Sequence, residues 1–248
     1  MPPPSLAELR ARVAALEGIR PAEHAAVAPL GVAEIDGVLP WGGLPLGCLH
    51  EIAPVVLPDG VEDGAAEGFA ALALARLAER AGKPVLWVAA SGPPYAPGLA
   101  AFGLTPAHLL VVRPAKAAQI LWAMEEGLHC PALAGVLGET WGVDLTAGRR
   151  LQLAAQASGV PALLLNRGAA ARTAVTRWRI QAVSSAAPLA GGLGSWRWRV
   201  ELSRCRGRGF GEDGCVWLME WSDEAHRLGV VAPSGDRPAE PQRSRRAG

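Results

Sequence analysis

From Cys48 onwards, short apolar runs alternate with segments of helical periodicity. Runs without polar alternation are typical of strands buried on both faces of a parallel sheet. The predicted strands are residues 49–53, 85–90, 109–113, 133–137 and 160–166. The predicted helices are residues 68–80, residues 115–128, and a segment that Asp144 caps and that runs to about Ser158. Alternating strands and helices indicate an α/β fold, a parallel sheet flanked by helices.

Beyond Asn166 the apolar period changes to two. In residues 176–183 and 196–202, apolar side chains alternate with arginines and other polar side chains. This pattern predicts C-terminal antiparallel strands with one apolar face and one basic, outward face. Residues 215–221 are their predicted partner strand, joined through a glycine-rich hairpin loop. Three tryptophans share the apolar register and are predicted core residues: Trp178, Trp196 and Trp198.

The chain begins with one amphipathic helix, predicted over residues 5–16, with Ser5 as N-cap and Glu8 as its capping-box partner. Its apolar face consists of Leu6, Leu9, Val13 and Leu16. So short a helix is marginal alone in water, and we expect it to dock on a partner or on its own domain. The predicted division is residues 1–29 as helix and linker, 30–232 as core with its β extension, and 233–248 as a disordered tail.

Composition excludes several classes of protein. Half of the 248 residues are hydrophobic and 19% are charged, which excludes a wholly disordered chain. No apolar run approaches the length of a membrane-spanning helix, and the first residues lack a leader pattern, so we expect a cytoplasmic protein without a membrane partner. The four cysteines form no CxxC pair and the five histidines show no ligand spacing. We therefore expect reduced thiols and no metal site.

The net charge of +1 hides a marked asymmetry, because residues 145–211 hold eleven arginines and a single acid, Glu201. Such a cluster favours an acidic partner. Binding of single-stranded DNA, docking of a protein and a merely solvated face all remain open. The candidate partner- or DNA-binding residues are Arg167, Arg172, Arg177, Arg179, Arg197, Arg199, Arg204, Arg206 and Arg208.

Residues 35–52 read Ile-Asp-Gly-Val-Leu-Pro-Trp-Gly-Gly-Leu-Pro-Leu-Gly-Cys-Leu-His-Glu-Ile. This stretch resembles the lead-in to the phosphate loop of RecA-superfamily ATPases, with an Asp-x-x-Leu, a Gly-Gly-Leu-Pro turn and a Gly-x-hydrophobic-x-Glu-Ile strand. Residues 95–112 resemble the segment that follows the RecA catalytic strand. The resemblance implies a RecA-like core over roughly residues 30–230.

The phosphate loop itself is degenerate. A functional loop needs G-x-x-x-x-G-K-[ST], whose lysine neutralises phosphate and whose hydroxyl holds Mg²⁺. Here residues 54–68 contain no lysine, and Gly64, Ala65 and Ala66 stand in place of Gly-Lys-Ser/Thr, with Gly60 as an earlier loop glycine. Four acids that would repel phosphate lie in the same stretch: Asp59, Glu62, Asp63 and Glu67.

Two further catalytic positions differ from the RecA pattern. Ser91 stands where the resemblance places the water-activating glutamate, and Gly138 stands where it places the Mg²⁺-linked aspartate. Substitution of Glu139, one residue displaced, for that aspartate is the alternative. Phosphoryl transfer depends on these charges. We therefore predict a non-enzymatic protein with no catalytic residues and no nucleotide or metal cofactor.

The C-terminal motifs are Thr-Arg-Trp-Arg-Ile at 176–180, Trp-Arg-Trp-Arg-Val-Glu-Leu-Ser-Arg-Cys-Arg-Gly at 196–207 and Trp-Leu-Met-Glu-Trp at 217–221. Together with a RecA-like core that lacks the phosphate loop, they resemble the ImuA family. The resemblance implies a non-catalytic accessory protein of error-prone translesion synthesis in the SOS DNA-damage response, nucleoid-associated on damage.

The same resemblance implies partners. They are ImuB, a catalytically inactive relative of Y-family polymerases, and an error-prone polymerase, with RecA and single-stranded DNA as further candidates. Two other function classes stay open: a SulA-like cell-division inhibitor, and a nucleotide-binding RecA-like protein with a degenerate ATP site.

Overall fold

The computed structural model describes residues 26–55, 64–90, 92–185, 194–207, 214–222 and 227–231. The predicted N-terminal helix with Leu6, Leu9, Val13 and Leu16, the predicted tail, and the candidate residues Gly60, Ser91 and Arg208 lie outside these ranges. Within the described ranges, no helix is long and apolar enough to cross a membrane.

The described residues form eleven strands and five α-helices, with one 3₁₀ turn at Pro106–His108. The strands are β1 Val27–Ala28, β2 Leu44–Pro45, β3 Leu49–Pro54, β4 Val85–Val88, β5 Leu109–Val112, β6 Gly135–Gly142, β7 Ala162–Ala169, β8 Thr176–Val183, β9 Arg197–Cys205, β10 Cys215–Ser222 and β11 Arg227–Val230. The helices are α1 Ala33–Asp36, α2 Ala65–Ala81, α3 Ala96–Ala101, α4 Ala118–Leu128 and α5 Leu145–Ser158.

Nine strands make one continuous sheet in the order β11–β10–β9–β8–β3–β7–β6–β4–β5. The strands from β8 across to β5 run parallel, whereas β9, β10 and β11 are added antiparallel. The predicted fold class, a parallel sheet flanked by helices with C-terminal antiparallel strands, is therefore confirmed. The antiparallel strands extend the parallel sheet, because β8 pairs with β3 on one side and with β9 on the other.

One carboxylate, that of Asp36, orders the turn that precedes β3. Asp36 in α1 accepts backbone hydrogen bonds from Leu30, Gly31 and Val32 at 2.8–3.2 Å. Strands β1 and β2 pair beside this turn, and Ala28 and Leu30 are buried in the main core.

Two hydrophobic layers enclose the sheet. On one face, α2 packs with residues such as Phe69 and Leu72 against alternate side chains of β8 and β9. On the other face, α4 and α5 cover β3, β4, β6 and β7 through residues such as Met124 and Leu151. The helices thus cover both faces of the central parallel strands.

The tryptophans of the antiparallel strands divide between core and surface. Trp178 and Trp198 are buried in the α2 layer, as their register predicts. The prediction for Trp196 is wrong: it precedes β9 and is 49% exposed, with one side against the Phe102 ring at a centroid distance of 5.0 Å. The alternation of side chains between the two faces of a sheet applies to residues within a strand, and Trp196 lies just before one.

A buried histidine joins the segment before β3 to the sheet. His50 in β3 donates from Nε2 to the Pro45 carbonyl oxygen at 2.9 Å, so its Nδ1 accepts from the Thr176 hydroxyl at 2.8 Å. The same hydroxyl oxygen accepts from Trp178 Nε1 at 3.0 Å. Burial lowers the pKa of His50 from its ordinary 6.5 to about 4.

We expect His50 to make stability depend on pH. Because its folded pKa lies below its unfolded pKa, the stabilisation is complete above pH 6.5 and is lost as the pH falls from 6.5 to about 4. The loss amounts to about 3 kcal/mol at 1.36 kcal/mol per pKa unit. In urea unfolding across this window, the free energy of unfolding should fall more steeply with decreasing pH for the natural protein than for His50→Gln. The exposed His108→Gln is the matched control, and equal slopes in all three proteins would contradict this role for His50.

Candidate functional site

The candidate site lies where the carboxyl ends of the parallel strands meet the N-terminus of α2, the edge at which α/β sheets bind ligands. Gly64 precedes α2 in the left-handed region, with φ 72°, and as a glycine it supplies no side-chain cap of its own. Ala65 and Ala66 follow and are buried in the core. Their methyl groups offer neither an ammonium group to phosphate nor a hydroxyl to a metal ion, and the first charged side chain of the helix is Glu67.

Arg167, from the end of β7, is the central side chain of this site. It forms ion pairs with Glu67 in α2 and, at 4.0 Å, with Glu139 in β6. Its guanidinium carbon also lies 5.7 Å from the centre of the Trp141 ring, within cation–π range. A cation does lie near the N-terminus of α2, but it is engaged by two carboxylates of the chain.

Glu139 and Gly138 project from opposite faces of β6 because side chains alternate along a strand. Glu139 faces α2 and accepts hydrogen bonds from Trp87 Nε1 at 2.8 Å and from the Ala90 backbone N–H at 3.1 Å. Gly138 faces α4, where a Cβ atom would overlap the Met124 side chain. An acid at position 138 would therefore require the Met124 side chain to move, and Glu139 is the carboxylate that β6 delivers to the α2 side.

A cavity of about 530 Å³ opens at this edge of the sheet. Its charged lining, among the described residues, comes from Glu67, Glu139 and Arg167, and its walls are largely apolar. The cavity thus borders the N-terminus of α2, where the RecA resemblance places the phosphate loop.

The approach of β6 to β7 explains how Arg167 is placed. Next to it, Gly168 lies so close to the Trp141 carbonyl group that a Cβ atom would overlap it. The β6–β7 pairing also shifts register between Thr140 and Gly142. Glycine at 168 allows the two strand ends to stay together, and Arg167 then lies between Glu67, Glu139 and Trp141.

On the opposite face, a second charged network holds the segment between β7 and β8. Glu51 in β3 is 1% exposed and accepts from Arg177 Nε at 2.6 Å and from Asn166 Nδ2 at 2.6 Å. It also accepts from the Ala171 backbone N–H at 3.1 and 3.2 Å, while Arg177 Nη2 donates to the Ala171 carbonyl oxygen at 3.0 Å. These bonds fix the segment after β7 to the sheet.

Three further strand arginines lie on the face away from α2, as their register predicts, but they have carboxylate partners: Arg179, Arg197 and Arg199. Arg197 bonds to Glu220 at 2.6 and 2.9 Å. Arg199 and Arg179 share Glu201, at 2.9 and 3.5 Å. The side chains of Arg179 and Arg199 are the more exposed, at 49% and 42%. The predicted basic face is therefore a network of ion pairs, which we call the arginine lattice. It consists of three arginines and two glutamates and so carries one excess positive charge: Arg179, Arg197, Arg199, Glu201 and Glu220.

The other candidate arginines separate into distinct places. Arg204 stands opposite Arg177 in the β8–β9 ladder, and Arg206 Nη2 lies 3.5 Å from the carbonyl oxygen of the exposed Arg172. Among the candidate arginines that the structure describes, Arg167 is the one that faces α2. Sequence reasoning did not single out the side chains of Glu51 and Asn166 as a site, although the Glu-Ile of the RecA-like strand motif contains Glu51.

The fold and this edge of the sheet define the class. The RadB recombinase, whose crystal structure has been solved, superimposes with a TM-score of 0.59 at 14% identity, over 83% of this chain and 100% of that one. The chain therefore has a RecA-like fold.

Sequence comparison gives the family. Protein ImuA from two strains of Caulobacter vibrioides, NA1000 / CB15N and ATCC 19089 / CIP 103742 / CB 15, is 39% identical over 214 residues, which is 81% of this chain and 85% of each relative. No protein-family model matches the sequence. The chain belongs to the ImuA family. Its family and its fold make it a RecA-like protein related to the DNA-damage response.

Proposed function

We propose that this protein is a non-catalytic RecA-like accessory protein of error-prone translesion DNA synthesis in the SOS response. It acts as a scaffold with an ImuB-type polymerase relative and an error-prone polymerase. Membership of the ImuA family supports the pathway. The observation that carries the non-catalytic part is the pairing of Arg167 with Glu67 and Glu139 beside the N-terminus of α2.

The charges of the cavity support the non-catalytic role. Phosphoryl transfer is catalysed by cations and metal ions that neutralise phosphate oxygens. Among the described residues that line the cavity, Arg167 is the one cation, and two carboxylates accompany it. Because Ala65 and Ala66 begin α2, a nucleotide would meet no lysine or hydroxyl there. A protein that keeps the fold without these groups contributes through its contacts.

The surface that we assign to the ImuB-type partner is the exposed part of the arginine lattice, Arg179 and Arg199. Arginine is enriched among the residues that dominate protein interfaces. These two side chains share Glu201, so a partner carboxylate can pair with the excess positive charge without uncovering a buried acid. The Leu6/Leu9/Val13/Leu16 segment, outside the described residues, is the second candidate surface.

We expect the double variant Arg179→Ala/Arg199→Ala to weaken binding to purified ImuB at least tenfold, the effect of losing about 1.4 kcal/mol. The affinity of the natural protein should also fall with added salt because the charges are exposed. The matched control is Arg149→Ala/Arg150→Ala on α5. Deletion of residues 1–18 tests the apolar segment separately, and binding through that segment should not depend on salt. Unchanged ImuB binding in both the arginine variant and the deletion, with unchanged damage-induced mutagenesis in cells, would refute the scaffold role in this form.

The cavity at the N-terminus of α2 favours one second candidate, a RecA-like protein that binds nucleotide at a degenerate site. Its volume of about 530 Å³ lies within the range of small-molecule sites. Calorimetric titration with Mg²⁺–ATP separates the two functions, and we expect no tight binding and no turnover. Turnover that persists through rigorous purification and disappears in Glu139→Ala would establish the second function instead.

A further inference from the structure

The cavity beside α2 has an unusual polarity for its position in the fold. Among the described lining residues, Glu67 and Glu139 contribute two carboxylates and Arg167 contributes one guanidinium, which leaves one excess negative charge. Glu139 is 8% exposed, and its nearest cation is Arg167 at 4.0 Å, which it shares with Glu67. Its hydrogen bonds to Trp87 and Ala90 add no further positive charge. A largely buried excess carboxylate gains most from an added cation, because water screens it poorly.

An anion meets the opposite conditions. The partial positive charge of a helix N-terminus favours anions, but Glu67 in the first turn of α2 already takes this place. To reach Arg167, a phosphate would have to separate it from Glu67 and lie next to the displaced carboxylate. The lining therefore selects against the ligand class that this edge of a RecA-like sheet would otherwise hold.

The walls define the rest of the ligand. The buried Trp87, together with Leu99 and Phe102, supplies apolar surface. Tyr95 stands at the cavity and is 75% exposed. A long aliphatic stem suits the apolar walls, and a flat cationic head group suits both the exposed aromatic ring and a carboxylate.

We propose that this cavity receives an arginine side chain presented by a protein partner. The inference rests on the proposed scaffold function and names the contact that a partner makes there. A guanidinium stacks on an aromatic ring and forms paired hydrogen bonds with a carboxylate, whereas the ammonium group of lysine is a compact, strongly hydrated charge. Arginine therefore binds in preference to lysine, and both bind in preference to an uncharged side chain.

The test uses the full-length protein and three blocked amino acids as probes: N-acetyl-arginine amide, its lysine analogue and its citrulline analogue. Citrulline keeps the shape of arginine but lacks the charge. By calorimetric titration at low salt we expect the arginine probe to bind at least tenfold more tightly than the citrulline probe, with lysine between them. Pyrophosphate and Mg²⁺–ATP should compete with none of these probes.

Two variants locate the binding. Glu67→Gln and Glu139→Gln are each expected to weaken the arginine probe about tenfold, the effect of losing a charge-assisted hydrogen bond. Both changes are isosteric, so Trp87 Nε1 can still donate to an amide oxygen at position 139. Glu125→Gln, which removes a carboxylate that pairs with Arg150 elsewhere, should leave the affinity unchanged.

Equal affinities for arginine and citrulline, absence of binding by the arginine probe, or tighter binding of pyrophosphate than of arginine would each overturn the inference. ImuB binding by the same variants keeps this result separate from the scaffold proposal. If ImuB binds normally while the arginine probe does not bind, the cavity inference fails and the scaffold function stands. If the probe binds as expected while ImuB does not, the scaffold function with ImuB fails and the preference of the cavity for arginine stands.

Discussion

Arg177→Ala is expected to lower the free energy of unfolding by about 3–5 kcal/mol, the effect of breaking a buried ion pair from one side. Glu51 is almost wholly buried, and Arg177 is the cation that its carboxylate contacts, at 2.6 Å. Truncation of the arginine leaves that charge inside the protein without compensation. It also removes the donor to the Ala171 carbonyl oxygen, so the segment between β7 and β8 loosens as well.

The matched comparison is with the exposed arginines of the same face. Arg179→Ala and Arg199→Ala should each cost at most about 1 kcal/mol, because exposed ion pairs contribute little. Urea unfolding of the three single variants measures the difference. Similar losses in all three would show that the Glu51–Arg177 pair has no special role.

This prediction divides a set of arginines that looks uniform in the sequence. Alternation in residues 176–183 gives Arg177 and Arg179 the same face, and the structure has them there. Their different roles arise from β3, because Glu51 pairs in register with Arg177 across the parallel β3–β8 ladder. The two residues are 126 positions apart in the chain. The alternation of apolar and polar residues predicts which face of the sheet a side chain occupies. It does not predict which strand pairs with its own, and so it does not predict the partner of the side chain.

The same distinction explains how much of the fold could be predicted. Continuous apolar runs located β3, β4 and β7 to within a few residues, because burial on both faces leaves a local signal. The run at β5 located its strand as closely, but the expectation of burial on both faces is wrong there, because β5 is an edge strand with Leu110, Val111 and Val112 exposed. The end of β6 was missed because Glu139 and Thr140 interrupt the apolar run. Both are buried with polar partners, which include Trp87 for Glu139 and Asn166 for Thr140. Elements of two to four residues, such as β1, β2 and α1, depend on tertiary contacts and left no periodic pattern.

The sequence predicts which phosphate-binding residues the candidate site lacks, but it does not predict which side chains contact one another there. The lack of a lysine and a hydroxyl at Ala65 and Ala66 can be read directly from the loop motif. The pairing of Arg167 with Glu67 joins positions 100 residues apart and depends on how α2 lies over β7. Arg167 was predicted to contact a partner or DNA, and the structure places it against two carboxylates, where it sets the charge of the cavity.

Trp198→Ala is expected to cost about 3–5 kcal/mol, as the loss of a buried aromatic side chain does. Its ring packs so closely on α2 that a Cβ atom on Gly68 would lie 2.8 Å from it, and it meets Phe102 at a centroid distance of 5.1 Å. The exposed Trp122→Ala on α4 is the control, with a change within about 0.5 kcal/mol. Because Gly68 and Phe102 also line the cavity, removal of this ring should weaken binding of the arginine probe even where the protein remains folded. Urea unfolding and calorimetry measure the two effects, and a Trp122→Ala loss as large as that of Trp198→Ala would contradict the assignment of Trp198 to the core.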